Sequence, residues 1–155
     1  MEKQAGTCWF AARTRNGQSK KISRRLTELG VEHFIPETYG TMLFLHTVKS
    51  RALSLVNSGE INARFMIDHA TRTLLEVPDK QMEDFIRIVR DIPDAELLED
   101  FSFAKGDHVE VVRGPLKGIE GDIVDTAEGA FLTVRVLSLL GARVRINRKF
   151  VVPKA

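Results

Sequence analysis

Apolar and polar positions change their period twice along the chain. Cys8-Trp9-Phe10-Ala11-Ala12 is an unbroken run of aromatic and small residues, which predicts a strand. Asn16-Gly17 marks a turn, and Ser19 is placed to cap a helix from Lys20 to Leu29. Ile22, Leu26 and Leu29 make one apolar stripe on that helix, and Gly30 suits the left-handed position just past its end. Val31 to Ile35 predicts a short strand stopped by Pro36. Met42 to Leu45 predicts a buried strand, because so short an apolar run does not make a helix. Lys49 to Asn57 predicts a helix with Leu53 and Val56 turned inward. Arg64 to Asp68 and Thr73 to Val77 predict strands. Pro78-Asp79 opens a helix on which Met82, Phe85, Ile86 and Val89 share a face, and Pro93 follows its end. The order β-α-β-β-α-β-β-α suits one sheet with helices packed on it.

After Phe103 the pattern is all-β. Short apolar runs at Val109–Val112, Ile119–Val124, Phe131–Leu137, Val144–Ile146 and Phe150–Val152 are separated by glycines. Five short strands predict a small barrel, whose closure removes open sheet edges. Between the two patterns, residues 93–102 are acidic and lack an amphipathic period. The expected organisation is therefore α+β. An N-terminal α/β sandwich over 1–92 is followed by an acidic linker over 93–102 and an all-β barrel over 103–155.

Charge sharpens this division. The chain has 155 residues, with 23 Lys+Arg against 21 Asp+Glu and a net charge of +2. That small sum hides blocks. Arg13, Arg15, Lys20, Lys21, Arg24 and Arg25 occur with no acid among them. Asp91, Asp94, Glu96, Glu99 and Asp100 occur with no base, and Arg143, Arg145, Arg148, Lys149 and Lys154 again with no acid. No apolar run approaches the roughly 20 residues that span a bilayer, so no membrane segment is expected. The N-terminus lacks the apolar core of a signal peptide. The single cysteine, Cys8, excludes an internal disulfide and a multi-Cys zinc site. The expected location is the cytoplasm.

Candidate catalytic chemistry is sparse. His33, His46, His69 and His108 show no metal-ligand spacing with each other or with Cys8. The stretch from Gly114 to Gly121 lacks the Lys-Ser/Thr of a phosphate-binding loop and opens a strand rather than a helix. Asp68-His69 is an acid–base pair by composition only and reads as structural. No enzyme, cofactor or metal is expected.

Lys105-Gly106-Asp107-His108-Val109-Glu110-Val111-Val112-Arg113-Gly114-Pro115-Leu116-Lys117-Gly118-Ile119-Glu120-Gly121-Asp122-Ile123-Val124 closely resembles a KOW motif. Its markers are Gly106, Asp107, Val109, Gly114, Pro115, Gly118 and Gly121. Leu139-Leu140-Gly141-Ala142 resembles a later stretch of NusG-type KOW domains. The N-terminal half resembles the NGN domain of NusG-type transcription elongation factors. The features are Trp9-Phe10 on the first strand, a basic helix ending Leu29-Gly30-Val31, Phe34-Ile35-Pro36, the strand Leu43-Phe44-Leu45, and Val77-Pro78-Asp79-Lys80-Gln81-Met82 opening a helix. The chain departs from the family in having only Glu37 to Thr41 between Pro36 and the central strand, and in lacking the Phe-Pro-Gly-Tyr turn there. Its divergence resembles that of the specialised UpxY-type and RfaH-type paralogues.

The resemblance implies a monomeric factor that binds the clamp helices of RNA polymerase and suppresses pausing or termination. Carried onto this chain, the polymerase-binding residues would be Trp9, Phe10, Tyr39, Leu43 and Phe44, with a core role the alternative for Leu43 and Phe44. Arg13, Arg15, Arg24, Arg25, His46 and Thr47 would lie near nucleic acid such as the non-template DNA strand, since clustered cations attract phosphates. The KOW domain would recruit a second partner, whether termination factor Rho, a small-subunit ribosomal protein or RNA, through Arg143, Arg145, Arg148 and Lys149. The expectation is that Phe131 and Phe150 fill the barrel, which favours a protein over RNA. The β-branched residues of the strands argue for a stable β form. The alternative reading is a KOW-containing ribosome- or RNA-binding protein with no polymerase contact.

Overall fold

The computed structural model describes residues 6–36, 40–99 and 106–154. By contacts the chain divides into two compact units, Met1–Asp79 and Lys80–Ala155.

The first unit contains β1 (Thr7–Thr14), α1 (Ser19–Glu28), β2 (Glu32–Phe34), β3 (Met42–Val48), α2 (Lys49–Asn57), β4 (Ala63–Phe65), β5 (Ile67–Asp68), β6 (Thr73–Leu74) and β7 (Glu76–Val77). Strand β1 is central, pairing antiparallel with β3, β4 and β7, while β2 adds to the far edge of β3. Strands β5 and β6 form a separate two-stranded ladder.

Side chains alternate across a strand, so the β1–β3 register sorts the central residues onto two faces. Phe10 opposes Leu45 and Ala12 opposes Leu43, while Trp9 opposes His46 and Ala11 opposes Phe44. The first set meets the helices. Ala12, Leu43 and Leu45 pack with Ile22 and Leu26 of α1, Leu55 of α2, Val31 and Ile61, and Phe10 packs with Ala52 of α2. The expected α1 stripe is this contact. Truncating a fully buried leucine such as Leu26 to alanine costs about 2–5 kcal/mol.

Two local expectations shift. Gln18, not Ser19, takes the cap position of α1, and it makes no side-chain cap bond. On α2 the fully buried residues are Ala52 and Leu55, with Leu53 and Val56 half-buried. Strand β3 runs into α2 with no intervening residue, so the strand rather than the helix's own pattern sets which way α2 faces.

The second unit comprises α3 (Asp79–Asp91, its first residue at the division), β8 (Glu96–Glu99), β9 (Asp107–Val111), β10 (Glu120–Thr126), β11 (Gly129–Val136), β12 (Leu140–Arg145), a 3-10 turn at Arg148–Phe150 and β13 (Val151–Pro153). Six strands form one antiparallel sheet in the order β13-β9-β10-β11-β12-β8. One face is core, with Val109, Val111, Ile123, Leu132, Val134, Val136, Ala142 and Val144 buried. On the other face His108, Asp122, Thr133, Arg143 and Glu96 stand in one row across five strands.

Sequence composition makes residues 93–102 a connector, yet Glu96–Glu99 form an edge strand on β12. The backbone ladder supplies hydrogen bonds that need no apolar period, and Arg143 holds Glu96 at 2.9 Å. Phe131 also differs from expectation. It lies on the polar face, buried beneath the guanidinium groups of Arg143 and Arg145, which stand 4.4 and 5.1 Å from its ring centroid.

Helix α3 is fastened to this unit by polar side chains. Asp84, 4% exposed, accepts the Glu120 N–H at 3.1 Å and a bond from Lys80 Nζ at 3.0 Å. Gln81 Oε1 accepts the Leu137 N–H at 2.7 Å, and Lys80 also donates to the Gly118 carbonyl at 2.6 Å. Arg87 donates to the carbonyls of Lys117 and Pro115, each at 2.6 Å. The buried apolar residues of α3 are Met82, Phe85 and Ile88, with Ile86 and Val89 half-buried.

Candidate interaction surfaces

The aromatic and aliphatic set of the first unit does not share one face. Phe10 and Leu43 are on the α1–α2 side, and Trp9 and Phe44 are on the other. Phe10, Leu43 and Phe44 have no exposed surface and Trp9 is 4% exposed. Tyr39 lies outside the described residues. The expectation asked for apolar anchors exposed together, and only the strand register could separate them.

His46 is engaged rather than free. Its ring stacks on Trp9 at a centroid distance of 4.5 Å and 11° between planes, and Nδ1 lies 2.5 Å from Glu32 Oε1. Its Nε2 is buried with no partner among the described residues. Thr47 pairs with Cys8 and is half-buried.

The cations behave differently from one another. Arg25 donates to Glu60 from Nε at 2.8 Å and Nη2 at 2.6 Å, and to Glu28 at 3.1 Å. These bonds, chiefly to Glu60, raise its pKa and tie the group down. Arg24 is exposed, and with Lys21 it lines a 390 Å³ cleft between α1 and the residues after α2. Arg13 and Arg15 are also exposed. Arg13 stands directly opposite Arg64 in the β1–β4 register. Neighbouring like charges disfavour each other across a strand pair, and Arg13 and Arg64 put two positive charges side by side on one face of the sheet. Sequence reading missed Arg64, because only the pairing of β4 with β1 brings it beside Arg13. Asp68 spends its carboxylate on its own turn, accepting from the N–H groups of Ala70 and Thr71 at 2.9 and 3.4 Å.

In the second unit the glycine spacing has a steric cause. A Cβ on Gly106 would lie 2.0 Å from the Ile123 carbonyl oxygen, and one on Gly121 would lie 2.5 Å from that of Thr133. Gly114 and Gly118 have φ of +83° and +95°, which L side chains rarely adopt. Val109 is buried, whereas Asp107 and Pro115 are exposed. Of the four basic residues expected to meet a partner, three are paired. Arg143 is held by Glu96 at 2.9 Å. Arg145 donates to the Glu128 carbonyl at 2.6 Å. Arg148 binds Asp125 through two bonds of 3.0 and 2.6 Å. Lys149 is exposed; its N–H donates to Asn147 Oδ1 at 2.9 Å, and its ammonium has no partner among the described residues.

The fold and these surfaces define an α+β protein of two compact units, each with its own antiparallel sheet and exposed cations. No family model matches the chain, and no curated protein matches it. Among solved structures, a chain from the crystal structure of the MjSpt4:Spt5 complex in conformation B is similar at 17% identity, with a TM-score of 0.35, over 94% of this chain and 95% of that one. Among the described residues no helix is long and apolar enough to cross a membrane.

Proposed function

We propose that this chain is a NusG-type transcription elongation or antitermination factor. Its N-terminal region contacts the clamp helices of RNA polymerase, and its C-terminal region recruits a second partner: Rho, a small-subunit ribosomal protein or RNA. The observation that carries this reading is the KOW-like segment. Its glycines fall where the backbone leaves no room for a Cβ or turns to positive φ, so the motif's residue types and its geometry agree. We also propose functional domains at 1–92 and 103–155 joined by the acidic 93–102. Limited proteolysis tests this, with cleavage expected inside 93–102; first cleavage near residue 79 would move the boundary there.

In this reading the polymerase contact is the face bearing Trp9 and Phe44, whose burial means that they must gain exposure on binding. Phe10 and Leu43 then serve as the core behind that face. Arg13, Arg15 and Arg64, exposed and without ion pairs among the described residues, meet nucleic acid at the margin, where cations that neutralise phosphates release condensed counterions. The protein acts as a cytoplasmic monomer without a cofactor. Transcription by purified RNA polymerase across a terminator and a pause site tests the function directly. Increased read-through is expected on adding the protein; unchanged pausing and read-through would remove the claim. Copurification with ribosomes and not with polymerase would favour the ribosome- or RNA-binding alternative. A folded Trp9→Ser variant that binds polymerase normally would reject the site while leaving the function standing.

A further inference from the structure

A groove of about 200 Å³ opens on the second unit between the turn after β9, the end of β12 and the 3-10 turn. Leu116 and Val144 form its buried floor, and Ile92, Ile146 and Phe150 are its half-buried walls. Small-molecule sites usually enclose roughly 300–1,000 Å³, so this groove suits one large apolar side chain better than a cofactor. It is not a stacking platform for a base. A Cβ on Gly114 would lie 3.1 Å from both Cδ2 and Cε2 of Phe150, so the ring is packed against that backbone.

The rim carries Arg113, Arg145 and Asp94. Arg113 is exposed and has no hydrogen bond or ion pair among the described residues. Arg145 is tied to Glu128. One uncommitted cation, Arg113, and the paired Arg145 therefore stand on the rim of an apolar slot that has a single acid, Asp94. A free guanidinium beside such a slot is suited to bidentate recognition of a carboxylate.

We propose that this groove docks an extended acidic segment of a partner protein. One leucine- or phenylalanine-sized side chain enters between Leu116, Val144 and Ile146, and a flanking carboxylate of the segment settles on Arg113. The apolar anchor supplies most of the affinity and the charges select the partner. This deepens the second-partner part of the proposed function and does not depend on polymerase binding.

The test is an NMR titration of the ¹⁵N-labelled full chain with the acetylated, amidated hexapeptide Glu-Glu-Leu-Phe-Glu-Glu. Saturable amide shifts confined to residues 113–116 and 144–150 are expected. Arg113→Glu is expected to weaken binding about fivefold or more without altering the rest of the spectrum, because the Arg113 side chain makes no bond among the described residues. A lysine-flanked peptide with the same Leu-Phe centre is expected to bind the native chain more weakly and the Arg113→Glu variant more tightly. Absent or non-saturating shifts with the acidic peptide at millimolar concentration would overturn the proposal. So would unchanged affinity in Arg113→Glu, equal binding of Glu-Glu-Ser-Ser-Glu-Glu, or the same shifts produced more strongly by single-stranded oligouridylate. Read-through by the native chain is scored separately, so a failed titration beside intact read-through rejects the groove alone. A successful titration beside absent read-through rejects the transcription reading alone.

Discussion

The carbonyl oxygen of Thr133 occupies the space that a side chain at residue 121 would need. A Cβ on Gly121 would lie 2.5 Å from it, with the carbonyl carbon at 3.2 Å. Strands β10 and β11 are joined by ladder bonds beside this point, so neither backbone can retreat without losing pairs. Gly121→Ala is expected to destabilise the second unit by about 1–3 kcal/mol, read as a lower denaturation midpoint with an unchanged slope. A native-like midpoint would show that the two strands can separate at no cost.

Asp84 offers a second test of the same unit. Its carboxylate is buried and accepts from the Glu120 N–H at 3.1 Å and from Lys80 at 3.0 Å. Asp84→Ala leaves a buried donor without an acceptor, and a loss of about 1–3 kcal/mol is expected. Asp84→Asn retains one carbonyl-type acceptor and should lose less. Equal losses for the two variants in chemical denaturation would show that the hydrogen bond to Glu120 contributes nothing.

Asp125 and Arg148 make a prediction about pH. The hydrogen bonds from Arg148 hold the Asp125 carboxyl below its ordinary value of 3.8. A folded-state pKa below the unfolded value favours the folded state fully above the unfolded value, and that contribution fades as pH falls through the folded one. Both side chains are largely exposed, so the clean readout is the titration itself. Carbon-detected NMR of the Asp125 carboxyl should show a midpoint below 3.8, returning to the ordinary value in Arg148→Gln. An identical midpoint in the two proteins would mean that the pair does not persist in solution.

Arg72 holds φ at +59° in the turn between β5 and β6, where its N–H donates to the Asp68 carbonyl at 2.7 Å. Left-handed backbone costs an L residue about 1–2 kcal/mol, and glycine returns part of that gain as lost chain entropy. Arg72→Gly is therefore expected to raise stability by about 0.5 kcal/mol, seen as a higher melting temperature. A lower melting temperature would show that the arginine side chain contributes more than the turn strain costs.

The elements legible in the sequence were those with a local cause. The stripe Ile22, Leu26 and Leu29 announced α1, and Met42 to Leu45 announced β3, because periodicity reports burial directly. The turn glycines were equally legible, since Gly114 needs a backbone state that other residues resist. The reading of residues 93–102 as connector was incomplete for the converse reason. Strand β8 is formed by its neighbour's ladder and by Arg143, which lies far from it in the chain. The candidate polymerase set follows from the family resemblance, and a match in residue type does not say which face a side chain takes.

Hydrophobic period and local sterics account for the α+β alternation, the two textures and the turn glycines Gly114 and Gly118, whereas Gly106 and Gly121 answer to a neighbouring strand. Tertiary pairing alone puts Trp9 and Phe44 on the other sheet face from Phe10 and Leu43, sets Arg64 beside Arg13, and occupies Arg25 and Arg148 while leaving the Arg113 side chain without a partner among the described residues. Those outcomes depend on strand register and on which distant acid reaches which cation. A one-residue change in register would reverse every face, and no local pattern encodes it.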